Sequence, residues 1–537
     1  MKKAFLLLTF LICSFTSFCQ RDTEFWFVAP EVRVSILDYD RPIFLKFFSY
    51  DLPATVTVSM PANPAFPDQT VELDPWQSFS MNLTDYIDII ENKPKNSVLN
   101  FGLKITSDNS ISAYYEILGD CTCNPEILPL KGTYALGRNF YVPFQTYLKN
   151  GNATDPASAT IDIVASRDAT TVSVTPTKNL VGHPAGTTFS ISLNAGQTYS
   201  LKAASDLASE HPTGTHITAD KAIAITMKDD LLNGGLEYGN YCLNIVADQI
   251  VPVSSLGKKY FVNKGSLWGT EKAFIVATQD GTTVKVKNMP NTLLDKGESM
   301  SINLAPGDAK IIKTTKPAYV LQITGTGCET SGDLVPPLDK TGTTSAGFIR
   351  STSETFYLSL ITLQGNQNGF SLNDNTSLID PNSFAVVPGS GGQYVISRIL
   401  LSTEDLPVNQ ANWINNSIGT FQASILNGAE YVTGSRFGIL TDYAPNTPLP
   451  TQLKVAETTL KIFPNPVQDI ATVEINLSQY IQPVLILTDL AGKKLMEVDL
   501  PETRNQVDFT NLPGGIYLYF IMDQGEQRHG GKIIKIE

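Results

Sequence analysis

Three short β patterns recur in the same order along residues 21–443: an aromatic opening, a turn followed by Thr and Val, and a closing strand at 105–114, 217–225 and 314–321. The fourth copy keeps the aromatic opening and diverges after it. Each copy opens on an aromatic segment, at residues 25–28, 140–142, 260–262 and 356–358. A turn containing Asp then leads into alternating Thr and Val, as in Asp-Ala-Thr-Thr-Val at 168–172 and Asp-Gly-Thr-Thr-Val at 280–284. Thr and Val suit a pleated strand, and Asp and Gly favour the turn before it. A copy of about 100 residues has the length of one antiparallel sandwich.

These repeats predict a mainly β fold of tandem antiparallel β-sandwich-like repeats, followed by a small C-terminal β-sandwich. Their spacing is too long for solenoid repeats, and a propeller would need shorter blades. Helical patterns are confined to residues 83–92 and 403–414. The predicted organisation is a leader at 1–19, β repeats at 20–125, 126–240, 241–345 and 346–443 (the last divergent), a linker at 444–459 and a C-terminal domain at 460–537.

The C-terminal domain carries an ordered set of spaced motifs. Apolar and polar residues alternate at 471–477, 483–488, 494–500 and 516–522, as in half-buried strands. The motif residues are Phe463, Pro464, Asn465, Pro466, Asp489, Gly492, Leu512, Pro513, Gly514, Gly515 and Tyr517. Gly514 and Gly515 are predicted to allow a sharp reversal that residues with a Cβ resist.

This region resembles the type A C-terminal sorting domain of the type IX secretion system, which Bacteroidota use to carry proteins across the outer membrane. The resemblance implies that residues 460–537 address the protein and perform no chemistry. It also implies two partners, the type IX secretion machinery and its sortase. The protein would then be secreted or held on the outer cell surface, having passed through the periplasm.

The N-terminus has the layout of a secretory signal peptide at residues 1–19. Lys2 and Lys3 precede an apolar run at 4–13, and Ser17 and Cys19 are the small residues of a cleavage site before Gln20. The run is too short to span a bilayer, and no other segment approaches that length. A lipoprotein anchor is the weaker alternative, because bulky residues precede both leader cysteines. We therefore expect an exported chain without a transmembrane segment.

Four cysteines remain after the leader, namely Cys121, Cys123, Cys242 and Cys328. An even number in a chain bound for an oxidising compartment predicts one or two disulfides. Cys121 and Cys123 are too close in sequence to bond to each other without strain, so each is expected to reach a distant partner. A zinc site is the alternative, but it would draw four thiolates from three scattered places.

Charge and motif content exclude several classes of function. The formal net charge is −13, and no basic patch is interleaved with aromatic residues, so nucleic acid is not an expected partner. The sequence contains four histidines and neither a His-Glu-x-x-His motif nor a Gly-x-Ser-x-Gly elbow. No phosphate-binding Gly-rich loop is present. We therefore predict that the protein is not an enzyme and needs no cofactor.

Two alternatives rest on carboxylates. Asp38 with Asp40, or Glu237 with Asp248, would serve as the acid and base of a polysaccharide-degrading hydrolase if they shared a cleft. Calcium, which takes six to eight oxygen ligands, would find some of them at residues 38–40 or 373–375. A solvated acidic turn is the simpler interpretation of both segments.

Tryptophans raise the possibility of carbohydrate binding. Trp26, Trp76, Trp268 and Trp413 would stack on sugar rings if exposed. Trp26 lies between two phenylalanines and is expected in the core. Trp268, beside Gly269, is the best candidate for exposure.

The repeats also carry a family resemblance. The segments at residues 25–30, 124–132 and 247–253 are similar to those of the IgGFc-binding protein N-terminal domain family, found in bacterial secreted proteins. The resemblance implies an extracellular recognition module. The predicted function is thus an adhesin-like binding protein with an extracellular protein or glycan ligand, either released or surface-anchored.

Overall fold

The chain forms two compact units, Met1–Asn446 and Thr447–Glu537. This computed structural model describes residues 21–33, 40–118, 124–151, 158–234, 242–429, 434–441, 443, 460–475, 483–489, 493–523 and 526–536. The predicted signal peptide and the predicted linker lie outside these ranges. Within them, no helix has the length and apolar character needed to cross a membrane.

The first two repeats have the same sheet topology, and each extends past its predicted end, residue 125 or 240, to include a return strand. The strands of the first are β1 (Asp22–Phe27), β2 (Ile43–Ser49), β3 (Ala54–Ser59), β4 (Gln69–Leu73), β5 (Ser78–Asn82), β6 (Leu103–Ile117) and β7 (Glu126–Pro129). Those of the second are β8 (Gly137–Tyr141), β9 (Ala159–Ala165), β10 (Thr170–Thr175), β11 (Phe189–Leu193), β12 (Thr198–Lys202), β13 (His216–Asn233) and β14 (Leu243–Ile250). The sheet orders are β4-β3-β6-β2-β5 and β11-β10-β13-β9-β12. In each repeat one long strand, β6 or β13, joins both halves.

The long strand divides its pairing between its two halves. The first half of β6 pairs with β1 and β3, and the second half pairs with β2 and β7. The first part of β13 likewise pairs with β8 and β10, and the later part pairs with β9 and β14. All of these pairings are antiparallel, as the alternating Thr and Val pattern predicts.

In the third and fourth repeats the long strand is split in two, so each repeat has two sheets. The strands of the third are β15 (Lys259–Asn263), β16 (Ser266–Leu267), β17 (Glu271–Ala277), β18 (Thr282–Val286), β19 (Thr292–Leu294), β20 (Ser299–Leu304), β21 (Ala309–Thr314), β22 (Ala318–Gly327) and β23 (Glu329–Leu334). Those of the fourth are β24 (Ser345–Ile349), β25 (Phe356–Leu363), β26 (Phe370–Leu372), β27 (Ala385–Val386), β28 (Tyr394–Leu401), β29 (Ala411–Asn416), β30 (Phe421–Ala429) and β31 (Gly434–Ile439). The sheets are β15-β21-β18-β19 with β16-β22-β17-β20, where β23 pairs with β22, and β24-β29-β26 with β27-β28-β25-β30-β31.

The opening strand of the fourth repeat differs from the prediction. The aromatic segment at residues 356–358 lies on β25, which pairs with both β28 and β30, just as β2 pairs with both β5 and β6. It is therefore the second strand of the repeat. The opening strand is β24, whose Phe348 is fully buried. Aromatic residues occupy the buried face of both strands, so their presence does not identify the opening one.

The closing hairpins of the four repeats meet. In each repeat the closing strand turns back into a short return strand, which is β7, β14, β23 or β31. Strand β7 contacts β14, β14 contacts β23, β23 contacts β31, and β31 contacts β7. The four return strands therefore form a closed ring, which we call the hairpin hub. The sandwiches are arranged in a circle around it.

Neighbouring repeats also share their hydrophobic cores. Ile245 and Ala247 on β14 are buried in the core of the first repeat. Tyr114 and Ile127 of the first repeat are buried in the core of the fourth. Phe437 on β31 belongs to the core built mainly by the third. Since each repeat completes the core of another, we expect the first unit to unfold cooperatively rather than repeat by repeat.

Helical structure is scarce in the described residues. It comprises the helix α1 (Ile87–Ile90) and 3₁₀ turns at Thr84–Tyr86, Gly132–Ala135, Ala208–Glu210, Val253–Ser255, Asn366–Gly369 and Pro381–Ser383. The helix predicted at 83–92 is confirmed in its centre, but the one predicted at 403–414 is wrong. There Ser402 and Asp405 close a single turn, Pro407 prevents its continuation, and β29 follows.

The second unit is a small sandwich of two antiparallel sheets. Its strands are β32 (Lys461–Phe463), β33 (Ile470–Glu474), β34 (Pro483–Thr488), β35 (Lys494–Asp499), β36 (Arg504–Asp508), β37 (Gly515–Asp523) and β38 (Glu526–Lys535). The sheet orders are β32-β33-β36 and β35-β34-β37-β38. The four strands predicted from alternation correspond to β33, β34, β35 and β37. Their inward residues, including Val473, Leu485 and Ile521, form its core.

Candidate functional site

A cluster of buried charges lies in the hairpin hub. The ammonium group of Lys131 pairs with the Asp248 carboxylate and lies 3.8 Å from Asp333 Oδ1. The backbone N–H of Leu334 donates to Asp248 Oδ2 at 3.0 Å, and that of Ile439 donates to Asp333 Oδ2 at 2.6 Å. These five residues come from all four repeats. The cluster therefore ties together return strands that are far apart in sequence.

Burial dominates the electrostatics of the hub carboxyls. It raises the pKa of Asp333 well above its ordinary value, and the neighbouring Asp248 carboxylate adds to this rise. Burial also raises the pKa of Glu126 well above its ordinary value. Glu126 accepts hydrogen bonds from Ser331 Oγ at 2.7 Å and from the N–H of Ile127 at 3.0 Å. Each carboxyl is thus engaged by protein donors.

A second buried ion cluster joins the first and fourth repeats. Glu116 on β6 pairs with Lys46 on β2, and its Oε1 lies 3.2 Å from the Nε atom of Arg436 on β31. All three side chains are almost completely buried. The cluster connects strands β2, β6 and β31 in the interior.

Sequence reasoning missed Lys131 and Asp333. One signal was present, because Asp248 and Asp333 each stand four residues before a proline, Pro252 and Pro337, at the end of a repeat. A carboxylate repeated at the same place in two return strands indicates a common structural role.

The carboxylate pairs of the hydrolase alternative are not brought into a cleft by the described residues. Asp38 and Glu237 lie outside those residues. Asp40 is fully buried, and its two carboxylate oxygens accept hydrogen bonds from Arg41 Nε and Nη2, both at 3.0 Å. Asp248 belongs to the hub. The described members of the pairs thus have structural partners.

The structure joins two of the four candidate disulfide cysteines. Cys242 and Cys328 form a buried disulfide with their Cα atoms 5.8 Å apart, within the usual range for such bridges. It links the second repeat to the third across 86 residues. Cys121 and Cys123 lie outside the described residues. A zinc site would have needed the two bridged sulfurs as thiolates.

The loop at residues 373–375, considered above as a calcium site, supports the strand pair β26–β29. Asn373 Oδ1 accepts from the N–H of Trp413 at 2.9 Å, and Asp374 Oδ1 accepts from Trp413 Nε1 at 3.4 Å. Asn375 Oδ1 accepts from the N–H of Ser377 at 2.9 Å. These oxygens therefore already bind protein donors. Calcium binding at this loop stays an alternative to the predicted absence of a cofactor.

The four tryptophans occupy three kinds of environment. Trp26 is buried, as predicted for a core residue, and Trp268 is 44% exposed, as predicted for a loop residue. Trp76 of the first repeat and Trp413 of the fourth are half-buried and touch each other, with ring centroids 5.3 Å apart. The structure therefore brings together two tryptophans that are 337 residues apart in the numbering.

In the second unit, the first sorting motif binds the last strand. Asn465 Oδ1 accepts from the N–H of Ile534 at 2.9 Å, and Asn465 Nδ2 donates to the carbonyl of Lys532 at 3.0 Å. Val467 continues this contact through its own N–H to Ile534 O at 2.7 Å. Phe463 is 43% exposed, and Pro464 and Pro466 follow cis peptide bonds. The two ends of the domain are thus joined.

The remaining sorting residues stabilise turns. Asp489 Oδ1 accepts from the N–H of Lys493 at 2.9 Å, which closes the turn after β34. The hydroxyl of Tyr517 donates to Pro513 O at 2.6 Å, and the N–H of Leu512 donates to the carbonyl of Phe509 at 3.0 Å. Gly492 lies outside the described residues.

The role predicted for the glycine pair is wrong at Gly515. This residue begins β37 without a left-handed φ, and a Cβ added there would meet no atom within 4 Å. The reversal before β37 is made instead by the segment that contains Leu512 and Pro513. Folding therefore does not require glycine at position 515.

Comparison with known proteins identifies both units. A family profile described as IgGFc binding protein matches residues 127–426, and one described as secretion system C-terminal sorting domain matches residues 461–536. No curated protein matches the chain in sequence. The sorting-domain match indicates export to the cell surface or secretion through the type IX machinery.

Similarities to solved structures are weak. Dimeric latent PorU from Porphyromonas gingivalis has 9% identity and a TM-score of 0.14, over 58% of this chain and 31% of that chain. The BSP domain of a biofilm associated protein has 9% identity and a TM-score of 0.14, over 75% and 82% of the two chains. Salmonella alpha-2-macroglobulin reacted with methylamine has 10% identity and a TM-score of 0.14, over 96% and 40%. The chain thus spans about a third of the PorU chain, and these similarities carry no argument about function.

Proposed function

Because this chain belongs to the IgGFc-binding protein family and ends in a secretion-system sorting domain, we propose that it is an adhesin-like binding protein of the cell surface or the secreted fraction. Its first unit recognises an extracellular protein or glycan, and its second unit acts as the sorting signal. It performs no catalysis and needs no cofactor.

The hairpin hub is the observation that carries this proposal. The ionisable side chains of the hub, Lys131, Asp248 and Asp333, are buried and bound by protein partners. General acid–base catalysis needs such groups within reach of a substrate. In the hub they hold the return strands of the four repeats together, a structural role that is compatible with a binding scaffold.

The proposed route begins with removal of residues 1–19 during export. The second unit then directs passage across the outer membrane, and the sortase removes it at the proline-containing linker, residues 444–459. Prolines disfavour packing of that segment onto either neighbour and leave it open to a protease.

A deletion in the native bacterium tests the sorting role. Removal of residues 460–537 should retain the protein in the periplasm, whereas the full chain should reach the cell surface or the medium. Fractionation followed by immunoblotting of the first unit measures this distribution. Equal surface delivery of both proteins would contradict the proposed sorting role.

A second experiment separates binding from hydrolysis. The secreted protein is incubated with immobilised mucin, immunoglobulin Fc fragments and extracellular polysaccharide, and retention and reducing ends are measured in the same wells. Saturable retention without new reducing ends is expected. Release of reducing ends would favour the hydrolase alternative, and absence of retention on all three supports would contradict the binding function.

A further inference from the structure

A polar groove lies on the outer face of the sheet β24-β29-β26 in the fourth repeat. Its volume is about 380 Å³, which falls in the usual range for small-molecule sites. Its lining includes Thr344, Ser345, Ser371, Asp374, Asn415 and Ser417. We call it the Ser345 groove. The cavities beside Phe261 and Leu338, at about 20 and 50 Å³, are too small to hold a comparable ligand.

The strand register explains why polar side chains line up there. On β29 the buried positions alternate with half-exposed ones, so Trp413 and Asn415 share the outer face. Ser345 on β24 and Ser371 on β26 both lie directly opposite Asn415. A row of two hydroxyls and one amide therefore crosses the three strands. Each of these groups can both donate and accept a hydrogen bond.

Ser345 provides an independent indication of a ligand. Its side chain is buried, with 8% of its surface exposed, yet Oγ makes no hydrogen bond to the described part of the chain. A buried hydroxyl without a partner costs about 1–3 kcal/mol. A ligand hydroxyl in the groove would satisfy it.

The Trp76–Trp413 pair is connected to the groove through Asp374. Asp374 lines the groove and accepts from Trp413 Nε1 at 3.4 Å, so the edge of this indole reaches the rim. The ring of Trp76 contacts the ring of Trp413, with their centroids 5.3 Å apart. The backbone N–H of Trp76 donates to the carbonyl of Tyr50 at 2.8 Å, and the Trp76 ring makes an edge contact with the Phe48 ring. A residue of the first repeat thus supports the Trp413 indole of the fourth.

The chemistry of the groove selects its ligand. The lining side chains are hydroxyls and amides apart from Asp374, and neither Lys nor Arg is among them. An anionic ligand would find no cation there. A sugar ring presents hydroxyls to polar groups and an apolar C–H face to an aromatic ring, which is the combination that this groove offers.

We propose that the Ser345 groove is a binding site for a neutral oligosaccharide. The site is formed by Ser345, Ser371, Asn415 and Asp374, with Trp413 as its aromatic rim. This inference rests on the proposed binding function and specifies one ligand class for it. The position of the groove in the fourth repeat leaves the other repeats free for further contacts.

The test uses the purified full chain and defined probes. Cellohexaose, maltohexaose, xylohexaose, mannohexaose, laminarihexaose and chitohexaose are titrated while tryptophan fluorescence and calorimetric heat are recorded. A heparin hexasaccharide serves as the anionic comparison. We expect at least one neutral hexasaccharide to bind and the heparin fragment to fail. Binding of the heparin fragment alone, or of none of the seven, would overturn the proposal.

Three variants locate the site. Trp413→Ala and Asn415→Ala should each weaken binding at least tenfold, whereas Trp268→Ala removes an exposed tryptophan of another repeat and should leave the affinity unchanged. Melting temperatures within a few degrees of wild type show that each variant folds. Should Trp413→Ala fail to fold, Asn415→Ala, at a half-exposed strand position, decides the question alone.

The outcomes distinguish this inference from the binding function itself. If the wild-type protein is retained on mucin, Fc or polysaccharide and Asn415→Ala is retained equally, the protein binds through another surface and the groove proposal is wrong. If retention and hexasaccharide binding are both absent, the binding function fails as well.

Discussion

Replacement of Lys131 by Met should destabilise the first unit far more than the loss of an exposed lysine. Lys131→Met keeps the length of the side chain but leaves Asp248 and Asp333 buried without their cation. Removal of one partner of a buried ion pair costs about 3–5 kcal/mol. Since domains are stable by about 5–15 kcal/mol in total, this is a large share.

The matched control is Lys296→Met. Lys296 Nζ lies 3.4 Å from Asp280 Oδ2, but these side chains are 59% and 61% exposed. An exposed pair contributes about 0–1 kcal/mol. The two variants remove the same kind of group from pairs that differ in burial. The difference between them therefore measures the cost of stranding charge in the hub.

Tryptophan fluorescence during guanidinium unfolding is a suitable assay. All four tryptophans belong to the first unit, so the signal reports that unit alone. Calorimetry of the same samples checks the transition. Adding Asp248→Asn to Lys131→Met removes one stranded charge and should recover part of the lost stability.

Acidification should reduce the difference in unfolding free energy between Lys131→Met and wild type. Burial raises the pKa of Asp333, and the variant removes the Lys131 cation that lowers it, so the folded-state pKa of Asp333 rises further. A raised carboxyl pKa gives stability that is present at low pH and lost as pH rises. The difference in unfolding free energy between the variant and wild type should thus increase from about pH 4 to pH 7. A cost for Lys131→Met no greater than that of Lys296→Met would refute the assignment of the hub as a structural centre.

Three further predictions concern other parts of the chain. Burial raises the pKa of Glu91 from 4.5 to about 7, so wild type should lose about 3 kcal/mol of unfolding free energy as pH rises from 4.5 to 7. Glu91→Gln should flatten this dependence of unfolding free energy on pH, and an unchanged dependence in denaturation experiments would contradict the shift. Replacing Cys242 and Cys328 by Ala opens an 86-residue loop and should lower the unfolding free energy of the first unit by about 4–5 kcal/mol. A melting temperature equal to wild type, measured without reductant, would show that the bridge does not stabilise the fold. Asn465→Ala should cost the second unit about 1–2 kcal/mol by removing two hydrogen bonds to its last strand, whereas Gly515→Ala should leave its calorimetric transition in place; equal shifts for both would refute this distinction.

The sequence by itself determined the local structure and the destination of the chain. Strands such as β34 and β37 follow from alternation of apolar and polar residues, because successive side chains on a strand point to opposite faces. The sorting motifs could be recognised in the sequence because their contacts are local. Tyr517 bonds within one short segment, and Asn465 bonds within one small domain. Two predictions from local sequence patterns were wrong. Pro407 ended a helical pattern after one turn, and Gly515 proved to be an ordinary strand residue.

Only the tertiary structure decided how the repeats meet. The ring of return strands, the Lys131–Asp248–Asp333 cluster and the Trp76–Trp413 pair join residues separated by 85 to 337 positions. Periodicity describes which face of a strand is buried, but it carries no information about which distant strand covers that face. Burial of charge in the hub is tolerated because four repeats supply its partners at once. The hairpin hub and the Ser345 groove are therefore formed only by the tertiary structure, which brings distant segments of the chain together.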